Sequence, residues 1–354
     1  MSLSEVIHFG IAGLGNIAST HARAILNHDL ASVSAASSRN VENRQKFNDE
    51  FGLPVYETFE DLLSHEPLDV ITICTPTGTH LEYGEKAAEA GKHVVVEKPI
   101  EVNSGKGRRL IDSCRQNGVK LAVIYQNRFS AGAIRVKEVL EKGLIGKPIM
   151  ARAAVKWFRD QEYYHSSNWR GTLDLDGGGA VINQAVHTID LLTWFLGEAE
   201  AVSAYKGTFT HEDIEAEDNA VAIIRFKSDV LAVFEASTSI VPAQPRKIEI
   251  HGTKGTVILT DDEAVVLLGT GSEKSDNEVN QESGSGATDP LVGLGFQNHA
   301  LQYAQIIHAI KTDGESVVSG EESLQSLAVV ESIYRSSELR KEVFIKEFIS
   351  VKKI

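Results

Sequence analysis

Short, wholly apolar runs alternate with amphipathic stretches through the first third of the chain. Residues 7–12 read as a buried strand, followed by a glycine-rich turn and an amphipathic helix over 17–28. A strand at 33–37 leads into a polar helix at 41–51. A strand at 70–74 is broken by Thr75-Pro76 and followed by a helix at 79–90. The next strand, 93–96, stops before Pro99, and a helix at 104–117 precedes a strand at 120–124. Strands alternating with helices of this length predict a parallel, doubly wound sheet. Beyond Gln126 the rhythm changes. A helix over 133–142 ends at Gly143, a strand covers 149–156, and an aromatic-polar loop spans 157–170. Three glycines then open one long helix over 180–196, which Gly197 closes. The runs 201–208, 219–226, 231–237, 246–251 and 255–260 predict a largely antiparallel sheet. Residues 270–290 form a loop that is mobile by composition, and helices over 299–310 and 321–336 close the chain. The pattern predicts an α/β protein of two domains, residues 1–125 and 126–354.

Charge and composition narrow the partners. The 354 residues carry 35 Lys and Arg against 49 Asp and Glu, a formal net charge of −14. That balance opposes a general phosphate-backbone binder and repels anionic lipid, so neither nucleic acid nor membrane is expected as a partner. No apolar run approaches the ~20 residues of a membrane helix, and residues 1–15 lack a signal-peptide pattern. Cys74 and Cys114 cannot build a disulfide framework, which points to a cytoplasmic protein. No His/Cys cluster has metal-ligand spacing, so no metal is expected.

Gly13-Leu14-Gly15-Asn16-Ile17-Ala18 is G-x-G-x-x-A between the first strand and the first helix. The first glycine permits the tight turn and the second lets the backbone approach a pyrophosphate. The small third residue lets helix and strand pack closely. The phosphates would meet free N–H groups at the helix start, around Asn16 and Ile17. An acidic residue after the second strand would select NAD; the chain has Ser37-Ser38-Arg39-Asn40 instead. Ser38 and Arg39 can bind and neutralise a 2′-phosphate, which favours NADP over NAD; the alternative is that Arg39 stacks on adenine or lies in solvent.

Two constellations carry chemistry. Lys98, in Glu97-Lys98-Pro99, follows a buried strand whose carboxyl end faces the ligand crevice of such a sheet. It can polarise a substrate hydroxyl, or it can be a solvated surface lysine. Asn183 and His187 stand at i and i+4 on the predicted long helix, with Asp190 near the same stripe. His187 suits proton acceptance near neutral pH; the alternative is a satisfied core pair. The three glycines would let a ligand or a neighbouring backbone come close. In the loop, Trp157, Trp169 and Arg170 offer aromatic faces for a sugar ring and a guanidinium for an acid group, or a cluster under a surface loop.

Together these segments resemble the Gfo/Idh/MocA family of sugar and polyol oxidoreductases. The resemblance rests on the glycine turn, Thr75-Pro76 with His80, Glu97-Lys98-Pro99, Tyr125-Gln126-Asn127-Arg128-Phe129, the triple-glycine helix with His187, and Gly320-Glu321-Glu322-Ser323-Leu324. It implies a Rossmann domain, then an α/β domain with an open sheet whose exposed face forms a homodimer or homotetramer interface. It implies that Thr75, Pro76, His80, Glu97 and Gln126 bind the cofactor, and that Arg128 and His299, with Tyr303 beside it, belong to the substrate cleft. Lys98 and His187 fall at the family's lysine and proton-transfer histidine. Asn183 stands where many members have an aspartate paired with that histidine. Asn-Gln-x-x-His and the loop 156–171 resemble a subgroup that includes dehydrogenases of nucleotide-linked amino-sugar uronates.

The leading expectation is hydride transfer between a nicotinamide and a carbinol carbon of a sugar, sugar acid or polyol, with Lys98, His187 and Asn183 as the catalytic residues. Two others stand beside it: an NAD-assisted glycosidase, and a non-catalytic cofactor-binding sensor.

Overall fold

A computed structural model describes residues 4–269, 295–315 and 318–349. The loop expected at 270–290 lies outside the described residues. The chain divides into two compact units, residues 1–126 with 294–324, and residues 127–293 with 325–354. The linear division at 125/126 placed 294–324 in the second domain; these residues join the first.

The first unit is built on β1 (Ile7–Ala12), β2 (Ala31–Ser37), β3 (Val55–Tyr56), β4 (Val70–Ile73), β5 (His93–Val96) and β6 (Leu121–Val123). Their order is β3-β2-β1-β4-β5-β6 and every pair is parallel. Strands covered by helices on both faces bury all their side chains, which is why Val70–Ile73 and His93–Val96 read as unbroken apolar runs. The order reverses beside β1, and such a switch point opens a crevice at the strands' carboxyl ends. Helix Gln297–Thr312 returns to this unit because Tyr303, Ile306, Ile307 and Ile310 line one face and pack with Phe9, Ile11 and Ile25.

The second unit holds β7 (Pro148–Lys156), β8 (Ala199–Gly207), β9 (Asn219–Phe226), β10 (Leu231–Ser237), β11 (Lys247–Gly252), β12 (Gly255–Thr260), β13 (Glu263–Leu268) and β14 (Val343–Phe344). The order is β13-β12-β11-β7-β10-β9-β8-β14. Only the β7–β10 pair is parallel, so the sheet is largely antiparallel, as expected. One face packs inward through Ala153, Phe234, Ala222 and Ile224; the other leaves Met150, Val221, Ile223, Leu231 and Val233 exposed. The segment expected as one helix over 180–196 is interrupted: a π-turn covers Ala180–Gln184, and the α-helix runs Val186–Leu196. Asn183 and His187 therefore do not share the continuous α-helical face that i, i+4 spacing assumed.

Candidate functional site

In the first unit the glycine turn has the features a dinucleotide requires. Gly13 has φ +90°, and a Cβ there would lie 2.8 Å from the carbonyl carbon and oxygen of Cys74. Only glycine fits. At Gly15 a Cβ would meet nothing within 4 Å, so the second glycine borders open space where a phosphate group can approach the backbone. The next helix, α1 (Ala18–Leu26), starts after Ile17 with no side-chain cap, and a helix start of this kind favours an anion. At the end of β2, Ser38 is half-buried and Arg39 exposed. A residue the sequence reading missed shapes this corner: Arg44, on α2 (Val41–Phe51), donates to the carbonyls of Ser38 (2.7 Å) and Arg39 (3.1 Å). Gln126 brings a buried amide oxygen with no hydrogen-bond partner among the described residues. These residues fit a dinucleotide.

Beyond β4, the hydroxyl of Thr79 donates to Thr75 Oγ1 at 2.8 Å and to the Pro76 carbonyl at 2.7 Å, closing the turn. His80, expected on the cofactor, is instead 1% exposed, with its ring nitrogens each 3.0 Å from the carbonyls of Thr75 and Pro99. Burial lowers its pKa. Its placement ties one strand-end turn to the next. Glu97, expected on the cofactor, is partly exposed and has protein partners. Its carboxylate lies 2.9 Å from His21 Nε2 and accepts the Lys98 backbone N–H at 3.1 Å. Burial would raise the Glu97 pKa, but the hydrogen bond and charge of His21 outweigh it and hold it at about 2. Lys98 is half-buried and joined to Pro99 by a cis peptide. His299, expected in the substrate cleft, is 1% exposed, edge-on to His21 at 5.2 Å. Burial, and then the charge of His21, depress its pKa to about 3. Tyr303, beside it on the same helix, is fully buried and 2.9 Å from His21 Nδ1.

In the second unit, a polar-aromatic cluster surrounds the π-turn. Arg170 stands 4.3 Å from the Tyr163 ring centroid and 4.8 Å from that of Trp169, and donates to Tyr163 Oη at 2.5 Å. Gln184 donates to the same oxygen at 2.8 Å. Arg159, from the same loop, stacks on Trp157 and donates to Gln184 Oε1 at 3.0 Å. Asn183 donates to Asp176 and accepts from Gln184. His187 is half-buried at the start of the α-helix.

The triple glycine answers to the fold itself. A Cβ at Gly178 would lie 2.2 Å from Tyr334 Oη and one at Gly179 would lie 2.0 Å from the Glu217 carbonyl oxygen. The buried Glu217 carboxylate accepts the N–H groups of Val181 and Gly179 and the Tyr334 hydroxyl, so it holds the π-turn. Arg128, expected on the substrate, is 5% exposed and forked onto Asp190 by two 2.7 Å bonds, with Ser326 donating to the same carboxylate. A buried carboxylate demands such a partner. Asp190 accordingly turns into the core.

Comparison with known proteins agrees with this anatomy. Residues 7–125 match the model of the oxidoreductase family with an NAD-binding Rossmann fold, and residues 133–258 match the Gfo/Idh/MocA C-terminal domain. The chain is 26% identical to a myo-inositol 2-dehydrogenase of Thermotoga maritima, over 97% of this chain and 100% of that one. It is 25% identical to a D-xylose 1-dehydrogenase [NADP(+)] of Haloarcula marismortui, over 93% and 86%. The solved WlbA dehydrogenase from Bordetella pertussis, in complex with NADH and UDP-GlcNAcA, superposes with a TM-score of 0.83 at 32% identity, covering 96% of this chain and 99% of that one. The chain belongs to the Gfo/Idh/MocA family of NAD(P)-dependent oxidoreductases.

Proposed function

We propose that this enzyme oxidises or reduces a carbinol carbon of a nucleotide-linked sugar uronate. The observation that carries the substrate class is the Arg170 guanidinium, held between Tyr163 and Trp169 beside the π-turn. Such a braced planar cation suits a carboxylate, and the neighbouring aromatic faces suit a sugar ring. The 32% identity to a dehydrogenase solved with UDP-GlcNAcA supports the same class.

The nicotinamide cofactor, when bound, supplies the hydride chemistry. Gly13, Gly15, Asn16, Ile17, Thr75, Pro76 and Gln126 would hold it, with Ser38 and Arg39 favouring NADP. Arg44 fixes the carbonyls on which that corner is built. On the chain's side, His187 takes the hydroxyl proton, Lys98 polarises the hydroxyl, and Asn183 orients the reacting group. Positioning and preformed polar contacts lower the barrier. The exposed apolar face of the second sheet serves a homodimer or homotetramer. The unpaired Cys74 and Cys114 fit a reducing cytoplasm.

The test is a panel of UDP-GlcNAcA, myo-inositol and D-xylose with NAD+ and NADP+, read by nicotinamide absorbance. Turnover on UDP-GlcNAcA is expected, with Lys98→Ala and His187→Ala each losing most of kcat while still binding cofactor. An Arg39→Ala variant should lose preference for NADP+. Sugar release without net cofactor change would instead establish the glycosidase reading, and wild-type turnover in either alanine variant removes that residue from the mechanism.

A further inference from the structure

At the strand end that carries Lys98 lies a largely buried polar cluster drawn from three separate segments of the first unit. His21 comes from α1, Glu97 from the end of β5, and His299 and Tyr303 from helix Gln297–Thr312. His21 is 0% exposed and lies 2.9 Å from Tyr303 Oη through Nδ1 and 2.9 Å from Glu97 Oε1 through Nε2. Tyr303 Oη in turn lies 3.1 Å from the Thr72 hydroxyl on β4. The ligating atoms of His21, Glu97 and His299 lie within 4.8 Å of one another, a spacing a cation could share. Both nitrogens of His21 are already committed to protein partners, however, so the cluster reads as a protein-to-protein brace.

What the brace holds is specific. One oxygen of Glu97 meets His21 and the other accepts the backbone N–H of Lys98. The carboxylate is thus clamped between a rigid helix and the peptide that carries the lysine. A buried carboxylate with a single partner would be costly and free to turn; with two on opposite oxygens its orientation is fixed.

We propose that His21 is a positioning residue for Lys98, acting through Glu97 to fix the strand end that presents the lysine. The inference rests on Lys98 taking part in the reaction as proposed above. His21 does not touch substrate; its effect is transmitted as geometry, and small misplacements of a reacting group carry losses up to roughly 100-fold.

The experiment is a double-mutant cycle on the full chain with the substrate that turns over in the panel above, accompanied by amide hydrogen exchange. His21→Phe is expected to lower kcat roughly 10- to 100-fold with cofactor KM little changed. In a Lys98→Ala background the same change should cost nothing further, because a residue acting only through Lys98 has nothing left to act on. The Lys98 amide should exchange about tenfold faster in His21→Phe, with Val94–Val96 unaltered. His21→Gln, which keeps a donor toward Glu97, should recover most of the activity, and it replaces His21→Phe if that variant does not fold. Additive losses, an unchanged Lys98 amide, or failure of His21→Gln to recover overturn the proposal. If Lys98→Ala alone retains activity, the mechanism falls instead, and the exchange measurement still decides whether His21 holds this peptide.

Discussion

The two glycines of the cofactor turn make opposite predictions, and the structure supplies the numbers. At Gly13, alanine must adopt φ +90° and place its Cβ 2.8 Å from the Cys74 backbone. A left-handed non-glycine residue costs roughly 1–2 kcal/mol, and overpacking against atoms that cannot rotate away adds about 1–3. Gly13→Ala should therefore melt several degrees below wild type even with no ligand. At Gly15 a Cβ meets nothing within 4 Å and φ is not in the left-handed region. Gly15→Ala should leave the ligand-free Tm unchanged or slightly higher, since alanine reduces unfolded-chain entropy by about 0.4–1 kcal/mol. Its cost should appear only with cofactor, where the methyl group occupies the space a phosphate uses. Losing one charged hydrogen bond of about 1.5–3 kcal/mol weakens binding roughly 10- to 150-fold. Thermal melts without ligand and calorimetric titration with NAD+ and NADP+ separate the two effects. If Gly15→Ala melts as low as Gly13→Ala, or binds dinucleotide at wild-type affinity, the assignment of that open space to a phosphate is wrong.

Asp190→Asn should cost about 3–5 kcal/mol by stranding the Arg128 guanidinium in the core, whereas Arg128→Met with Asp190→Leu should cost less; chemical denaturation of the single and the double variant checks this. His299 favours its neutral form in the fold, with a pKa of about 3 against 6.5 unfolded. Its contribution is complete above pH 6.5 and falls by roughly 1.4 kcal/mol per unit as the pH drops toward 3. Glu97, at about 2 against 4.5 unfolded, loses its contribution only below pH 4.5. His299→Phe should thus flatten the stability curve between pH 6.5 and 4.5, measured by melts across that range. Ile223 and Val233 pair across β9 and β10 on the exposed face; on the proposal that this face joins copies of the chain, wild type should sediment as an oligomer and Ile223→Glu with Val233→Lys as a monomer by analytical ultracentrifugation, while the melting transition persists.

The first sheet was legible because parallel strands buried on both faces leave wholly apolar runs punctuated by Gly and Pro. β3 and the helix Phe59–Leu63 were not, being too short for any period to show; β3 exists through its pairing with Ala36 and Ser37. The return of 294–324 to the first unit was invisible because nothing local says which core an amphipathic helix will cover. The π-turn escaped for a related reason. Gly177-Gly178-Gly179 signalled a close approach, but not that Tyr334 and Glu217, far off in sequence, were what approached. His21 did leave a signal that was not used. It sits on the apolar stripe of α1 with Ala18, Ala22 and Ile25, and a polar side chain on a buried face needs a partner. Arg128 and His299 were assigned from motif position, and their buried counterparts, Asp190 and His21, were not legible because both lie far off in sequence.

Asn183 shows how a motif departure can be compensated in space. The resemblance implies an aspartate here, and its absence removes a charge that would stabilise a protonated histidine. In the fold a carboxylate, Asp176, stands in hydrogen-bond contact with Asn183. The Asn183 amide nitrogen donates to Asp176, which also accepts the Gly171 N–H, and its oxygen accepts from Gln184, so the amide is held at both ends. Restoring the aspartate alone should then do harm. Asn183→Asp would set two carboxylates in hydrogen-bond contact, where both cannot be ionised at neutral pH, and should cost about 1–3 kcal/mol. Asp176→Asn with Asn183→Asp exchanges the two groups, keeps one charge and one amide, and should regain both stability and turnover. Melts and pH–rate profiles of the two single variants and the exchange variant decide it. Full stability and activity in Asn183→Asp, with no gain from the exchange, would show that the Asp176–Asn183 contact has no part in setting this site.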